Sequence, residues 1–367
     1  MHWIRGEALG RGGFAFVSKG IITSQQDGIP HIVAVKSSKS SESDSLVKEK
    51  KLLDRFNNCP FIIRCFGDDT TEEDGQMLYN IFLDCEEPNE IHPPFIIRCF
   101  GDDTTEEDGQ MLYNIFLEYA SGGCLADIIK SSDGRGLPEP AVKNQTRSIL
   151  MALSHMHALG YVHCDIKPHN ILIVEQGDER KNVKNYVKHT AKLADLGSAF
   201  NMRGGEDNED DGGFRGTVLY AAPESIINQT YVPQSDVWSL GCTVLSMLTG
   251  KSPWKFESSK TATDVMMTIG CSDQIPNIPS SKKISKDAVD FLKKCFVKDP
   301  RSRCSADMLL DHPFVRTRDA PLTGKCSSHS RRHHHHHHHL TSRLSHGFSS
   351  LVHSCFHVHD LAAVSPV

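Results

Sequence analysis

The 367-residue sequence has no long apolar segment, and no run approaches the roughly 18 apolar residues that a membrane-spanning helix needs. Its start lacks the basic stretch followed by an apolar one that marks a secretory signal. The 12 cysteines include no Cys-x-x-Cys pair, which argues against a zinc ribbon and a secreted disulfide framework. A net charge of −6 gives no reason to expect nucleic acid as the main partner. We therefore expect a protein of the cytoplasm, the nucleus or both, with reduced thiols.

Histidine is distributed unevenly along the chain. Nine of the 21 histidines lie in residues 1–315 and twelve in the last 52 residues, including seven consecutive ones, His333–His339. Ser, His and Arg dominate this end, and it has too few periodic apolar positions to bury a core. We expect residues 316–367 to form a disordered His- and Ser-rich tail without a catalytic role; a natural metal-binding tract and a purification tag are the alternatives.

The sequence also contains a perfect internal repeat. Residues 60–83 (copy one) recur as residues 94–117 (copy two), which is 24 identical residues at an offset of 34. Repeat architectures need at least about three copies, so this is a recent tandem duplication or a gene-model error. Each copy is predicted to form a β-hairpin, in copy one from strands at Phe61–Phe66 and Met77–Leu83 around a Gly/Asp-rich turn.

One of the two hairpins is surplus. Copy one follows directly on the helix predicted at residues 45–56, and copy two continues directly into Glu118. We expect the sheet to take Phe61–Phe66 from copy one and Met111–Leu117 from copy two, with the residues between them extruded as a surface loop. Lengthening such a loop from about 10 to about 44 residues costs only about 1 to 1.5 kcal/mol of closure entropy.

The remaining pattern is strand-rich at the front and helix-rich at the back. Short β-like runs cover residues 3–36, and residues 45–56 are predicted to be helical. After Leu117 the spacing is helical, with one buried face and a short strand pair at 171–174 and 191–193. This order predicts an α+β protein of two lobes. The buried face is formed by Val142, Thr146, Ile149, Leu150, Leu153 and Met156.

A glycine-rich segment at residues 9–17, Leu-Gly-Arg-Gly-Gly-Phe-Ala-Phe-Val, is followed by an apolar strand that ends in Lys36. Glycines let the backbone lie close to phosphate oxygens, and the lysine can supply them with a positive charge. A buried lysine needs a counter-charge to stay protonated, and Glu49 is in position to supply one. The simpler alternatives are a plain β-turn and a solvated glutamate.

A second polar cluster follows at Asp165, Lys167 and Asn170, just before an apolar strand. Its members offer an acceptor for a hydroxyl proton, a cation for phosphate and a neutral metal ligand. Asp195 precedes a glycine just past another apolar strand, which suits a magnesium ligand. Each residue alone could belong to an ordinary turn, but their joint order disfavours that explanation.

Together these motifs resemble the protein-kinase signature series over residues 3–315. The resemblance implies a two-lobed kinase fold, with a β-rich N-lobe at 3–117 that includes the duplicated 34-residue segment and a helical C-lobe at 122–315. The positions of Lys167 and Thr217 resemble the pattern of serine/threonine kinases. The segments at residues 3–14, 163–170 and 235–244 resemble those of plant mitogen-activated protein kinase kinase kinases of the MEKK-like group. The family's substrates are the MAP kinase kinases one tier below, and its cofactors are ATP and Mg²⁺.

The resemblance also implies a role for each motif residue. Asp165 would accept the proton of the substrate hydroxyl, and Lys167 would steady the γ-phosphate. Asn170 and Asp195 would hold magnesium, and Lys36, paired with Glu49, would hold the α- and β-phosphates. The nucleotide-binding loop and adenine pocket would comprise Leu9, Gly10, Gly12, Val17, Ala34, Leu172 and, at the hinge, Glu118 and Ala120. Structural support would come from Thr217, Glu224, Arg303 and Asp236.

Three positions depart from the family pattern: Ala15 in the glycine loop, Leu196 after the metal aspartate, and Cys164 in place of the arginine that usually receives the activation-loop phosphate. No Ser, Thr or Tyr lies between Ser198 and Thr217, and residues 206–211 are Glu-Asp-Asn-Glu-Asp-Asp. We hypothesise that loop phosphorylation does not switch this kinase on. The alternative function is a kinase-fold scaffold or pseudokinase, impaired by the duplicated hairpin.

Overall fold

The structure is a computed structural model, and it describes residues 2–11, 15–23, 31–56, 67–73, 76–82, 99–107, 109–177, 187–204, 213–257 and 259–316. The tail predicted at 316–367 lies outside the described residues except for Arg316. Gly12, Phe61–Phe66 and the acidic run at 206–211 lie outside them as well.

The N-terminal part is built on a twisted sheet and one helix. Its strands are β1 (Trp3–Arg11), β2 (Phe16–Ile22), β3 (Ile32–Lys39), β4 (Gly67–Glu73), β5 (Gln76–Phe82), β6 (Cys99–Glu107) and β7 (Gln110–Glu118). β1, β2, β3 and β7 follow one another as antiparallel neighbours. Helix α1 (Asp44–Arg55) falls within one residue of its predicted bounds, and its Leu46, Leu52 and Leu53 are buried because they lie on one face.

The structure pairs the duplicated segment differently from our prediction. β7 of copy two lies against β3, with Lys36 opposite Ile115. β7 also pairs with β6, which belongs to copy two as well, from Cys99–Leu117 to Glu107–Gln110. The strand predicted at Phe61–Phe66 lies outside the described residues. The prediction that the residues between it and Met111 are extruded as a surface loop is wrong, because Cys99–Glu107 forms a strand of the sheet. Copy one forms its own hairpin, β4–β5, and β5 meets β7 in parallel at Ile81 and Ile115.

The predicted turn was also too long. The residues Asp-Thr-Thr-Glu-Glu belong to strands β4 and β6, and in copy two β6 ends at Glu107 and β7 begins at Gln110. Gly109 has a φ of +74°, which glycine adopts without a Cβ penalty. An Asp-Gly pair at a two-residue connection favours a tight hairpin, because its backbone twist matches that of the strands.

Arg5 ties copy two into the sheet. Its Nε donates to both carboxylate oxygens of Glu107 on β6, at 2.5 and 2.8 Å, and its Nη2 donates to Asn114 Oδ1 on β7 at 2.8 Å. Its Nη1 donates to Ser18 Oγ on β2 at 2.7 Å. One guanidinium thus joins four strands, which a planar five-donor group does well.

The C-terminal part is helical, as predicted. Its helices are α2 (Leu125–Lys130), α3 (Glu139–Ala158), α4 (Pro223–Asn228), α5 (Pro233–Thr249), α6 (Ala262–Cys271), α7 (Lys286–Cys295) and α8 (Ala306–Leu310). All six residues of the predicted face of α3 are buried. Every residue of α5 from Ser235 to Leu248 is buried, and α3, α7 and α8 pack against this helix.

Two short strand pairs lie between α3 and α4 in the sequence. β9 (Ile171–Gly177) pairs with β10 (Val187–Leu193) and extends the predicted strands. β8 (Tyr161–Val162) pairs with β11 (Phe200–Asn201). These strand pairs flank the loops that carry Asp165 and Asp195.

Two expectations from composition can be compared with the described residues. The cysteines among them, Cys124, Cys164, Cys242, Cys271, Cys295 and Cys304, are all free. None of the helices that the structure describes is both long and apolar enough to cross a membrane.

Candidate active site

The ammonium group of Lys36 is the centre of the site. It comes from β3 and donates to Glu49 Oε2 on α1 at 2.6 Å and to Asp195 Oδ1 at 2.9 Å. Burial disfavours its charge, but the two carboxylates outweigh burial and raise the pKa of Lys36 above its ordinary value. The same contact with Lys36 lowers the pKa of Asp195. Lys36 and Asp195 are therefore charged at neutral pH. Burial raises the pKa of Glu49, and the ion pair with Lys36 opposes that rise.

Asp195 is placed by an unusual backbone conformation. Its φ of +63° and ψ of +74° are left-handed, which is uncommon for a residue with a Cβ. Its side chain remains 46% exposed while it contacts Lys36. An exposed, low-pKa carboxylate in this position suits a cation ligand.

Asp165 lies in a compact polar cluster within the loop between β8 and β9. Asn170 Nδ2 donates to its Oδ2 at 2.9 Å, and Lys167 Nζ lies 3.1 Å from the same oxygen. Thr217 Oγ1 donates to Asp165 Oδ1 at 2.8 Å and accepts from Lys167 Nζ at 2.7 Å. The structure thus brings Asp165, Lys167, Asn170 and Thr217 together, as the sequence predicted.

The carboxylate of Asp236 on α5 fixes the backbone of this loop. It accepts the N–H of His163 at 2.8 Å and the N–H of Cys164 at 2.9 Å, and it is fully buried. Cys164 has a φ of +69°, a strained value for a residue with a Cβ. The two charge-assisted hydrogen bonds offset this strain and aim the next residue, Asp165, into the cleft.

The predicted adenine pocket gathers apolar side chains from both lobes. Ala34 is buried, and Val17, Ala120 and Leu172 are partly buried against the same apolar cluster. Leu9 is 42% exposed at the edge. Gly10 lies opposite Val17 in the β1–β2 pair, whereas Gly12 lies outside the described residues.

The predicted pair at the end of the activation segment is present. Arg303 Nη1 and Nη2 donate to Glu224 Oε1 and Oε2 at 2.8 and 3.0 Å. Ser235 Oγ on α5 donates to Glu224 Oε1 at 2.8 Å. This bidentate, buried pair joins α4 to the last part of the domain.

Comparison with known proteins now assigns the family. Residues 3–315 match the family model for the protein kinase domain. The chain belongs to the protein kinase family. Its two-lobed kinase fold, predicted from the sequence, is confirmed, and it is a serine/threonine protein kinase.

Curated relatives indicate the group within the family. The kinase is 37% identical over 316 residues to mitogen-activated protein kinase kinase kinase 20 of Arabidopsis thaliana, covering 86% of this chain and 78% of that protein. It is 31% identical over 320 residues to mitogen-activated protein kinase kinase kinase 17 of the same plant, covering 87% and 70% of the two chains. The resemblance to the MEKK-like group is confirmed.

Membership of this family implies use of ATP with a divalent metal ion, typically Mg²⁺. The residues fit such an ion. Asn170 turns its amide nitrogen to Asp165, which directs its amide oxygen elsewhere, and Asp195 adds a carboxylate. Among the described residues no group of three His, Cys, Asp or Glu could hold a metal ion. A short oxygen set completed by phosphates is what Mg²⁺ prefers over an all-protein cage.

One position of the kinase departs from the family pattern, and two further residues near the site were not predicted from the sequence. Cys164 is buried in an apolar cluster with Val162, Tyr231 and Phe200, and burial raises the pKa of its thiol, so it stays neutral. His157 was not predicted, although its Nε2 lies 2.8 Å from Asp236 Oδ2. Lys192 was also missed; the sequence signal was a charged residue inside an apolar strand.

Proposed function

We propose that this kinase transfers the γ-phosphoryl group of ATP to serine or threonine residues of a MAP kinase kinase. Its relatives are mitogen-activated protein kinase kinase kinases, and this supports the substrate class. Activity itself is supported by the geometry around Lys36 and Asp165.

The main support for this proposal is that Lys36 contacts two carboxylates at once. Its ammonium group contacts Glu49 and Asp195 at the same time. This requires α1, β3 and the loop of Asp195 to be correctly positioned relative to one another. A scaffold has no need of such an arrangement, since replacing a buried ion network by apolar residues is often neutral for stability. Phosphoryl transfer does need it, because catalysis there is mainly positioning and charge stabilisation.

In this proposal Asp165 orients the substrate hydroxyl and accepts its proton. Asn170 and Lys167 contact one oxygen of its carboxylate, and the Thr217 hydroxyl donates to the other. This contact with a hydroxyl group supports the proposed role. Lys167 lies beside Asp165 and would steady the transferring phosphate. Asp195 and Asn170 would hold Mg²⁺, which when bound neutralises charge on the phosphate oxygens.

We also propose that phosphorylation of the activation loop is not the switch. The position that usually carries an arginine for the loop phosphate is filled by the neutral, buried Cys164. Arg215, from the loop side, instead donates its backbone N–H to Tyr231 Oη at 2.8 Å, and its guanidinium lies 6.0 Å from the ring of Phe200. These contacts support a loop end that is ordered without phosphate.

The substrate class is tested by phosphotransfer to a catalytically dead MAP kinase kinase, with a catalytically dead MAP kinase as the matched alternative substrate. We expect label on serine or threonine of the first protein and none on the second. Asp165→Asn should lose the transfer by about three orders of magnitude or more, because it removes the proton acceptor and part of the positioning.

Transfer no greater than that of Asp165→Asn would favour the scaffold alternative. Equal transfer to both substrates would contradict the assignment to the upper tier. In both cases nucleotide binding should be measured alongside, since it separates loss of ATP binding from loss of chemistry.

A further inference from the structure

The hinge segment, residues 118–123, is held at both ends by the β9–β10 hairpin. At its C-terminal end the N–H of Gly122 donates to Ile173 O, and the N–H of Ile173 donates to Gly123 O, both at 2.9 Å. At its N-terminal end Lys192 Nζ donates to Glu118 Oε2 at 3.0 Å and to Oε1 at 3.3 Å. The residues between these anchors are the ones that would face adenine.

The lysine at the first anchor is in an unfavourable environment for a charge. The side chain of Lys192 is 1% exposed, and its neighbours Ala191 and Leu193 on β10 are fully buried. A buried ammonium is costly unless it is paired, and an apolar side chain of similar size would serve stability as well. The ion pair therefore indicates a requirement for the geometry of the cleft rather than for the stability of the fold.

The position of Lys192 connects three parts of the cleft. It lies opposite Leu172 in the β9–β10 pair, and Leu172 is one of the residues predicted to line the adenine pocket. Cross-strand partners project to the same side of a hairpin, so the stem of Lys192 lies beside Leu172. Three residues further along the chain is Asp195.

We infer that Lys192 is a positioning residue for the nucleotide. By holding the carboxylate of Glu118, it sets the hinge at the separation from Leu172 and Asp195 that adenine and the phosphates require together. This inference rests on the proposed use of ATP.

The ion pair between Lys192 and Glu118 also bears on which copy of the duplicated segment leads into the hinge. The two copies are identical up to Leu83 and Leu117, and the residues that follow are Asp84 and Glu118. Glu118 is thus the first residue at which copy two differs from copy one on the hinge side, and aspartate is one methylene shorter. The pair with Lys192 favours the exit of copy two as the hinge.

The test is the dissociation constant of Mg·ADP, measured by calorimetry on the full chain. Lys192→Met and Glu118→Gln should each raise it by about tenfold, because the apparent constant rises as the competent fraction of hinge conformations falls. The double variant should bind no more weakly than the weaker single variant, since both remove the same contact. In steady state the KM for ATP should rise more than kcat falls.

Lys298→Met is the matched control, because Lys298 Nζ donates to Ile269 O at 3.1 Å and to Ser272 O at 2.9 Å in the helical lobe. It should leave Mg·ADP binding unchanged. Glu118→Asp keeps the charge and should give an intermediate rise, which provides a milder variant if Lys192→Met does not fold.

Binding by Lys192→Met or Glu118→Asp within about twofold of wild type would overturn the positioning role. An equal rise in Lys298→Met would overturn it too. Absence of Mg·ADP binding by the wild type would instead contradict the proposed function itself.

Discussion

Replacing Asp236 by asparagine should displace the catalytic loop. Asp236 Oδ1 accepts the N–H of Cys164 at 2.9 Å, and Oδ2 accepts the N–H of His163 at 2.8 Å and faces His157 Nε2 at 2.8 Å. An asparagine amide offers one acceptor and one donor, so one of the N–H groups would face another N–H. The bonds that remain would no longer be charge-assisted.

The cost can be estimated from these contacts. A hydrogen bond to a charged group contributes about 1.5 to 3 kcal/mol and a neutral one about 0.5 to 1.5, while an unpaired buried donor costs about 1 to 3. Losing one bond and weakening the others therefore destabilises the domain by about 3 to 5 kcal/mol. At roughly 2 to 4 °C per kcal/mol, the melting temperature should fall by on the order of 10 °C.

The assay is thermal unfolding by circular dichroism together with kcat at a temperature where the variant is folded. Asp273→Asn, an exposed position of the same lobe, is the control and should melt with the wild type. We expect kcat of Asp236→Asn to fall as well, because the strained Cys164 backbone is released and Asp165 moves. A melting temperature within about 2 °C of wild type would show that the Asp236 carboxylate does not hold the loop.

Three further predictions concern neighbouring residues. Thr217→Ser should keep most phosphotransfer and Thr217→Glu should abolish it, because a carboxylate would face Asp165 Oδ1; activation by Thr217→Glu would contradict our proposal on loop control. Gly216→Ala should lower kcat by on the order of tenfold to a hundredfold, because its Cβ would lie 2.3 Å from Cys164 O at a φ of +101°, whereas Gly204→Ala, with no described atom within 4 Å, should change kcat much less. The stability advantage of the wild type over Asp195→Asn should be constant from about pH 5 to pH 9 and should shrink as the pH falls below 3.8, since Lys36 lowers the pKa of Asp195; an advantage that grows with acid would have the wrong sign.

Much of the site was predictable because its residues occur in ordered local motifs. Lys36, Asp165, Asn170 and Asp195 each lie at a strand end or in a short loop, and their chemistry is recognisable there. Helix α3 was predictable because its buried positions repeat with the helical period. Lys192 and His157 were not, since each acts through a partner distant in sequence that no local pattern indicates.

The hairpin was mispredicted for a different reason. Two identical segments have identical propensities, so the sequence alone does not rank them. Our estimate compared loops of about 10 and about 44 residues, but β6 and β7 are joined through two positions only. The shorter closure favours the local hairpin by about 2 to 3 kcal/mol. Contacts of Arg5 with Glu107 and Asn114 then join it to the sheet.

We propose that copy two completes an active cleft in the presence of copy one. The decisive measurement compares kcat of the full chain with that of a chain lacking residues 60–93, which retains one copy between α1 and Glu118. We predict that the full chain phosphorylates a catalytically dead MAP kinase kinase well above Asp165→Asn, with kcat within about tenfold of the single-copy chain. Activity confined to the single-copy chain would contradict the account.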